Sequence, residues 1–139
     1  MRTSRTWKVL PLLLALTGCG SMAGSTPADA TTLNGFRAAN GLKGLRQDAS
    51  LTAMASSHSH DMARRNSLDH DGFMQSRGPS GARAENVAFG CGDTACAIRV
   101  WSNSSGHRRN MLIPSLTRYG IASATSSKGR KYWTLMLGE

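Results

Sequence analysis

The chain has 139 residues, 40% of them hydrophobic and 6% aromatic, with 17 Lys and Arg against 8 Asp and Glu for a net charge of +9. That length suffices for one modest core. The basic surplus suits anionic partners, whereas the scarcity of aromatics and the lack of a recognition motif argue against nucleic acid. In chain order, Arg2, Arg5 and Lys8 come first with no acid among them, followed by an apolar run over residues 9–16 that contains Pro11. A membrane-spanning helix needs about 20 apolar residues, so this shorter run reads as an export signal.

The run closes on "LTGC", residues 16–19, which resembles the lipobox of bacterial lipoproteins. The resemblance implies a diacylglyceryl group on the Cys19 sulfur, cleavage just before it, and acylation of the new amino terminus. Residues 1–18 are then a lipoprotein signal peptide, and their loss removes 3 of the 17 basic residues, leaving 14 against 8 acidic ones. Glycine at position 20, in place of aspartate, resembles the pattern sorted to the outer membrane, with the domain facing the periplasm. With Cys19 lipidated, Cys91 and Cys96 remain as an even pair in an oxidising compartment. A disulfide between them is expected, worth about 2 kcal/mol. Residues 19–30 are the lipidated cysteine and a flexible tether, "GSMAGSTPADA", with a reach of about 18 Å. One domain follows over residues 31–139, with no internal repeat and nothing that calls for more than a monomer.

The domain opens with a helix over residues 32–40 that buries Leu33 and Phe36 and stops at Gly41. A longer helix starts at Asp48 as cap, with Leu51, Met54, Ala55, His58 and Met62 on its apolar stripe. His60 lies about 200° around from His58, so the two cannot chelate one ion, and His58 reads as a hydrogen-bonded core histidine. The helix ends in "RRNSLDHDGF", leaving His70 just past it, and "RGPSGAR" is a loop. "AENVAFG" is a short extended piece. After the two cysteines a helix capped by Asp93 buries Ala97, Val100 and Trp101, Ser104 and Ser105 interrupt it, and a short helical turn covers residues 106–112 before Pro114. The tail alternates on both sides of a polar turn at Gly129, which predicts a β-hairpin burying Tyr119, Ile121, Trp133, Leu135 and Leu137. Helices followed by strands, without βαβ alternation, indicate an α+β layered domain.

The pieces "LNGFRAANGLKGL", "HSHDMARRNSLDH", "AENVAFG", Trp101 with "NSSGHRRNML", and "RYGIAS" with "YWTLML" stand in the order that resembles the bacterial branch of the CAP superfamily. That superfamily includes cysteine-rich secretory proteins, venom antigen 5 and plant pathogenesis-related proteins. The resemblance implies a three-layer α/β/α sandwich with helices flanking a small antiparallel sheet. It also implies a cavity lined by two histidines and acids: His70 and His107 match the histidines, and Glu85 the glutamate of the Gly-Glu-Asn piece. In this chain Ala84 replaces the glycine of that piece, Ser104 stands where eukaryotic members carry a second glutamate, and Ser105 replaces a common proline. His107 then faces the site while Arg108 and Arg109 point to solvent.

Two imidazoles and a carboxylate suit a divalent metal such as zinc, with His70, Glu85 and His107 as ligands and an open position for water. A hydrolase would need Glu85 or a histidine to activate water, or Ser104 as nucleophile with His107 as base, yet no nucleophile elbow or oxyanion hole can be named. The same residues can also form a purely structural hydrogen-bonded cluster. A lipid anchor, a tether and a basic domain instead describe a binding module for anionic lipid, lipopolysaccharide or cell-wall polymers. Members of the resembled family are mostly interaction or lipid-binding proteins, and no cofactor is required for such a role.

Overall fold

The computed structural model describes residues 29–139. Cys19, the signal segment 1–18 and the tether up to residue 28 lie outside the described residues. Helix α1 spans Leu33–Ala39, begins where the Thr32 hydroxyl accepts the Gly35 N–H, and gives way at Asn40 to Gly41 with φ +74°, a backbone conformation that costs glycine nothing. Its buried Arg37 donates to the carbonyls of Lys43, Met111 and Ile113 at 2.9, 2.7 and 3.1 Å, closing the end of a later helix.

Strand β1, Arg46–Gln47, leads into α2, Ala49–Arg65. Asp48 caps α2 as its position predicts, with its carboxylate accepting the Leu51 N–H at 2.9 Å. Asn66 stops the helix in the left-handed region at φ 52°. A π-helical turn covers Phe73–Arg77 and ends at the first residue of the "RGPSGAR" loop. Strand β2, Ala84–Phe89, matches the extended piece. Helix α3, Thr94–Ser102, starts at Asp93, whose carboxylate accepts the Cys96 N–H at 2.8 Å. Helix α4 covers Ser105–Met111, and the hairpin strands β3 and β4 cover Arg118–Thr125 and Lys131–Gly138.

The sheet order is β1-β3-β4-β2. All pairs are antiparallel except β1 with β3, which corrects the expectation of a purely antiparallel sheet. Two residues are too few to show an alternating pattern, so β1 is invisible to periodicity. The α/β/α layers are as expected: α2 lies against β3 and β4 on one face, and α3 and α4 lie against β2 on the other. Ala84, Ala88, Leu135 and Leu137 meet α1, α3 and α4 through Phe36, Ile98, Trp101 and Met111. On the opposite face Val87 and Tyr132 meet Met62, and Met136 meets Leu51 and Ala55. Gly120 of β3 makes the α2 layer possible, because a Cβ there would overlap the backbone of Leu51 and Thr52.

Two burial expectations fail. Val100 is 47% exposed, and Ile98 takes its place in the core at 0%. Both residues flank the Ala97 and Trp101 ridge of α3, and the Trp101 indole N–H donating to the Val87 carbonyl at 3.0 Å fixes the helix rotation that buries Ile98. Arg108 is half-buried: its guanidinium stacks 5.0 Å above Phe36 and donates to Asn40 at 2.7 Å. Arg109 is exposed as expected. Cys91 and Cys96 form the anticipated disulfide, with Cα atoms 5.4 Å apart, and it ties the loop after β2 to the first turn of α3.

Candidate functional site

Strand alternation decides where Glu85 points. Val87 faces α2, so Glu85, two residues earlier, faces α2 as well, while Asn86 faces α4. Glu85 is 4% exposed, and a buried carboxylate requires partners. It has three. The His70 Nδ1–H donates to Oε1 at 2.8 Å. Arg77 grips both oxygens, Nε to Oε2 at 2.6 Å and Nη2 to Oε1 at 3.0 Å. His58 Nε2 stands 3.7 Å from Oε1 while donating to the Asp69 carbonyl at 2.9 Å, so its contact with Glu85 is electrostatic and secondary.

The end of α2 holds His70 in reach. Arg65 pairs with Asp61 at 2.8 Å and with Asp69 at 2.8 Å, and the Asp69 carboxylate also accepts the Asp71 N–H at 3.1 Å. Arg65 keeps the Asp69 carboxyl well below its ordinary range, so this clasp is ionised at all ordinary pH. Arg77 donates further to the Asp71 carbonyl at 2.8 Å, fastening the π-helical turn to the same segment. Between α2 and that turn lies a pocket of about 260 Å³, lined by Met54, Ser57 and His58 on one side and Ser76 and Arg77 on the other.

The protonation balance follows from this geometry. Burial raises the Glu85 carboxyl, but the hydrogen bonds from His70 and Arg77 outweigh it and the net direction is down. The bond to Glu85 raises His70 against an opposing effect of burial. His107 is lowered, first by burial and then by the positive charge of His70.

His107 lies on α4, which packs against edge strand β2. Its carbonyl accepts from Asn86 Nδ2 at 3.0 Å, and Asn110 Nδ2 donates in turn to Asn86 Oδ1 at 2.9 Å. These amides anchor the backbone at His107, whose Nδ1 is buried with no hydrogen-bond partner among the described residues. Ser104 occupies the cap position of α4 without a side-chain cap bond. The described residues therefore join His70 to Glu85 directly, and show no side-chain hydrogen bond of His107 to either of them or to Ser104.

The donor set does not fit a metal ion. Both Glu85 oxygens are held by a guanidinium, and no group of three or more His, Cys, Asp or Glu side chains among the described residues is disposed to hold a cation. Of the set expected from sequence, His70, Glu85 and His107, only His70 and Glu85 are joined directly among the described residues. Arg77 is the residue that sequence reasoning passed over. Once Glu85 is placed on an inner strand face, its need for a counter-charge narrows the search to Arg77 and Arg83 in the preceding loop. His58 carried its own signal, as the one histidine on the apolar stripe of α2.

The three-layer α/β/α arrangement of helices around a four-stranded mixed sheet is that of a CAP domain. Residues 31–137 match the cysteine-rich secretory protein family, and the chain belongs to that CAP family. The chain is 34% identical over 110 residues to YkwD of Bacillus subtilis, covering 73% of this chain and 42% of the relative. An extracellular protein containing an SCP domain from Bacillus anthracis superposes with a TM-score of 0.59 at 28% identity, over 75% of this chain and 37% of that one. An outer surface protein of Borrelia burgdorferi shares the fold with a TM-score of 0.64 at 13% identity, over 79% of this chain and 88% of that one. The chain thus spans less than half the length of both Bacillus proteins.

Proposed function

We propose that this chain is an exported, lipid-anchored CAP domain of the bacterial cell envelope that binds an anionic envelope component at its His70, Glu85, Arg77 and His107 cluster. The observation that carries this reading is the buried Nδ1 of His107, which has no hydrogen-bond partner among the described residues, while Glu85 is already saturated by protein donors. A buried polar atom without a partner is costly, and a ligand group hydrogen-bonding there relieves that cost. The half-exposed His70 ring, whose side chain is 52% accessible, offers a charge of the right sign when protonated. The lipobox at Cys19 and the glycine at position 20 support attachment to the outer membrane facing the periplasm.

The test is binding of the full-length chain to phosphatidylglycerol vesicles, lipopolysaccharide and cell-wall fragments, with wild type compared against His107→Ala and His70→Ala. Binding weakened in both variants supports the reading, and no binding above background to any of the three rejects it. Cys19→Ser should abolish labelling by a fatty-acid analogue and release the protein from the membrane fraction.

A hydrolase is the second reading, favoured by the Glu85–His70 pair. A carboxylate that takes the Nδ1–H leaves Nε2 free to accept a proton from water, the arrangement a general base needs. Ester or peptide turnover that vanishes in Glu85→Gln would establish it, and no turnover with either class of substrate removes it.

A further inference from the structure

The pocket between α2 and the π-helical turn holds polar groups that the Glu85 cluster leaves unused. His58 lines it, is only 3% exposed, and commits its Nε2–H to the Asp69 carbonyl at 2.9 Å. A neutral imidazole that donates through Nε2 carries a lone pair on Nδ1, and no hydrogen bond among the described residues reaches that atom. The Ser57 and Ser76 hydroxyls and the Asp71 carboxylate, all on the pocket wall, likewise have no hydrogen-bond partner among the described residues. The wall is therefore rich in acceptors. Its charge is largely matched already, Asp61 by Arg64 and Arg65, and Arg77 by Glu85. Acceptors without a large surplus of charge suit a ligand that brings several hydroxyl donors and no ion to desolvate. Met54 adds an apolar contact of the kind that the C–H face of a sugar ring takes. At about 260 Å³ the space lies below the roughly 300 Å³ at which pockets for drug-sized ligands begin, which is room for one ring and not for a chain.

We propose that this pocket is a glycan subsite for one neutral, polyhydroxylated sugar ring. The sugar hydroxyls donate to Asp71, Asp61 and His58 Nδ1 and bond with the Ser57 and Ser76 hydroxyls, and the ring face rests on Met54. This inference goes beyond the anionic-ligand reading, which stands on His107 and on charged envelope components. A neutral sugar read out at His58 tests only the pocket, so either idea can fail alone.

The experiment is titration of the full-length chain with glucose, N-acetylglucosamine, glucosamine and glucuronate, followed by calorimetry and by the imidazole NMR signals of His58. At least one of the two neutral sugars should shift those signals with a Kd on the order of 1 mM. Glucosamine and glucuronate, which place a charge on the same ring, should bind at least about tenfold more weakly. Ser57→Leu fills the pocket from an exposed helix position, and Asp71→Ala removes an acceptor that no other side chain uses; each should weaken neutral-sugar binding by about tenfold. Both positions are exposed and their side chains hold nothing else in place, so both variants should fold. No His58 shift with either neutral sugar at about 10 mM, tighter binding of a charged sugar, or neutral-sugar binding that survives both substitutions would overturn the proposal.

Discussion

The two faces of the sheet differ in what holds them. The face toward α1, α3 and α4 is a continuous apolar layer centred on Trp101, with the Cys91–Cys96 disulfide at its edge. The face toward α2 is split into two smaller apolar groups, and the charged cluster of Glu85, His58, His70 and Arg77 lies on this side. One face is held by area removed from water and the other in part by matched charges. Damage should therefore scale with buried volume on the first face and with unmatched charge on the second.

The largest effect is expected from Trp101→Ala. It empties a fully buried site and deletes the bond to Val87, and should lower unfolding stability by about 4 kcal/mol in a denaturant titration. Glu85→Ala strands Arg77 without its buried partner and should cost about 3 kcal/mol. A loss below about 1 kcal/mol would mean the cluster contributes nothing to holding its face. Replacing both Cys91 and Cys96 by serine should cost about 2 kcal/mol, measured under conditions where wild type stays oxidised.

The smallest effect is a pH dependence. His70 is raised in the folded state, so its added stability is complete below the ordinary imidazole value of about 6.5 and is lost as pH rises through the raised value. The stability gap between wild type and His70→Gln should therefore be wider at pH 6 than at pH 9, by less than about 1 kcal/mol because the ring is half in water. His107 acts in the opposite direction, since it is lowered and protonating it below the ordinary imidazole range opposes folding. Glu85, also lowered, contributes above the ordinary carboxylate range and loses that contribution as pH falls through its lowered value. A gap that widens toward alkaline pH would contradict the hydrogen bond from His70 to Glu85.

What could be read from sequence followed from local chemistry. Asp48 and Asp93 each precede a helix and carry a side-chain oxygen that suits a cap, and both accept the expected N–H; Thr32, read as the first helical residue, turns out to cap as well. The hairpin strands and β2 announce themselves by alternation and flanking glycines. The cluster was half legible, because the resemblance to the CAP pattern marks the His70 and Glu85 positions. Arg77 did not, since a loop arginine shows no periodicity and its partner comes from the fold. The Ile98 and Val100 exchange has a similar origin: both fit one helical face with Ala97 and Trp101, and a long-range bond to β2 decides between them.

Strand β2 sits at the border of the sheet with one side unpaired by any strand. Its outward carbonyls do not stay bare: that of Glu85 accepts from Asn110 Nδ2 at 3.3 Å, and that of Val87 from the Trp101 indole at 3.0 Å. Side chains from two helices thus impersonate the neighbour that is missing. A rim sealed in this way offers no ladder to a stray chain, which guards a crowded compartment against runaway stacking. The protection is only as durable as the seating of α3 and α4, so prying those helices loose would open the border.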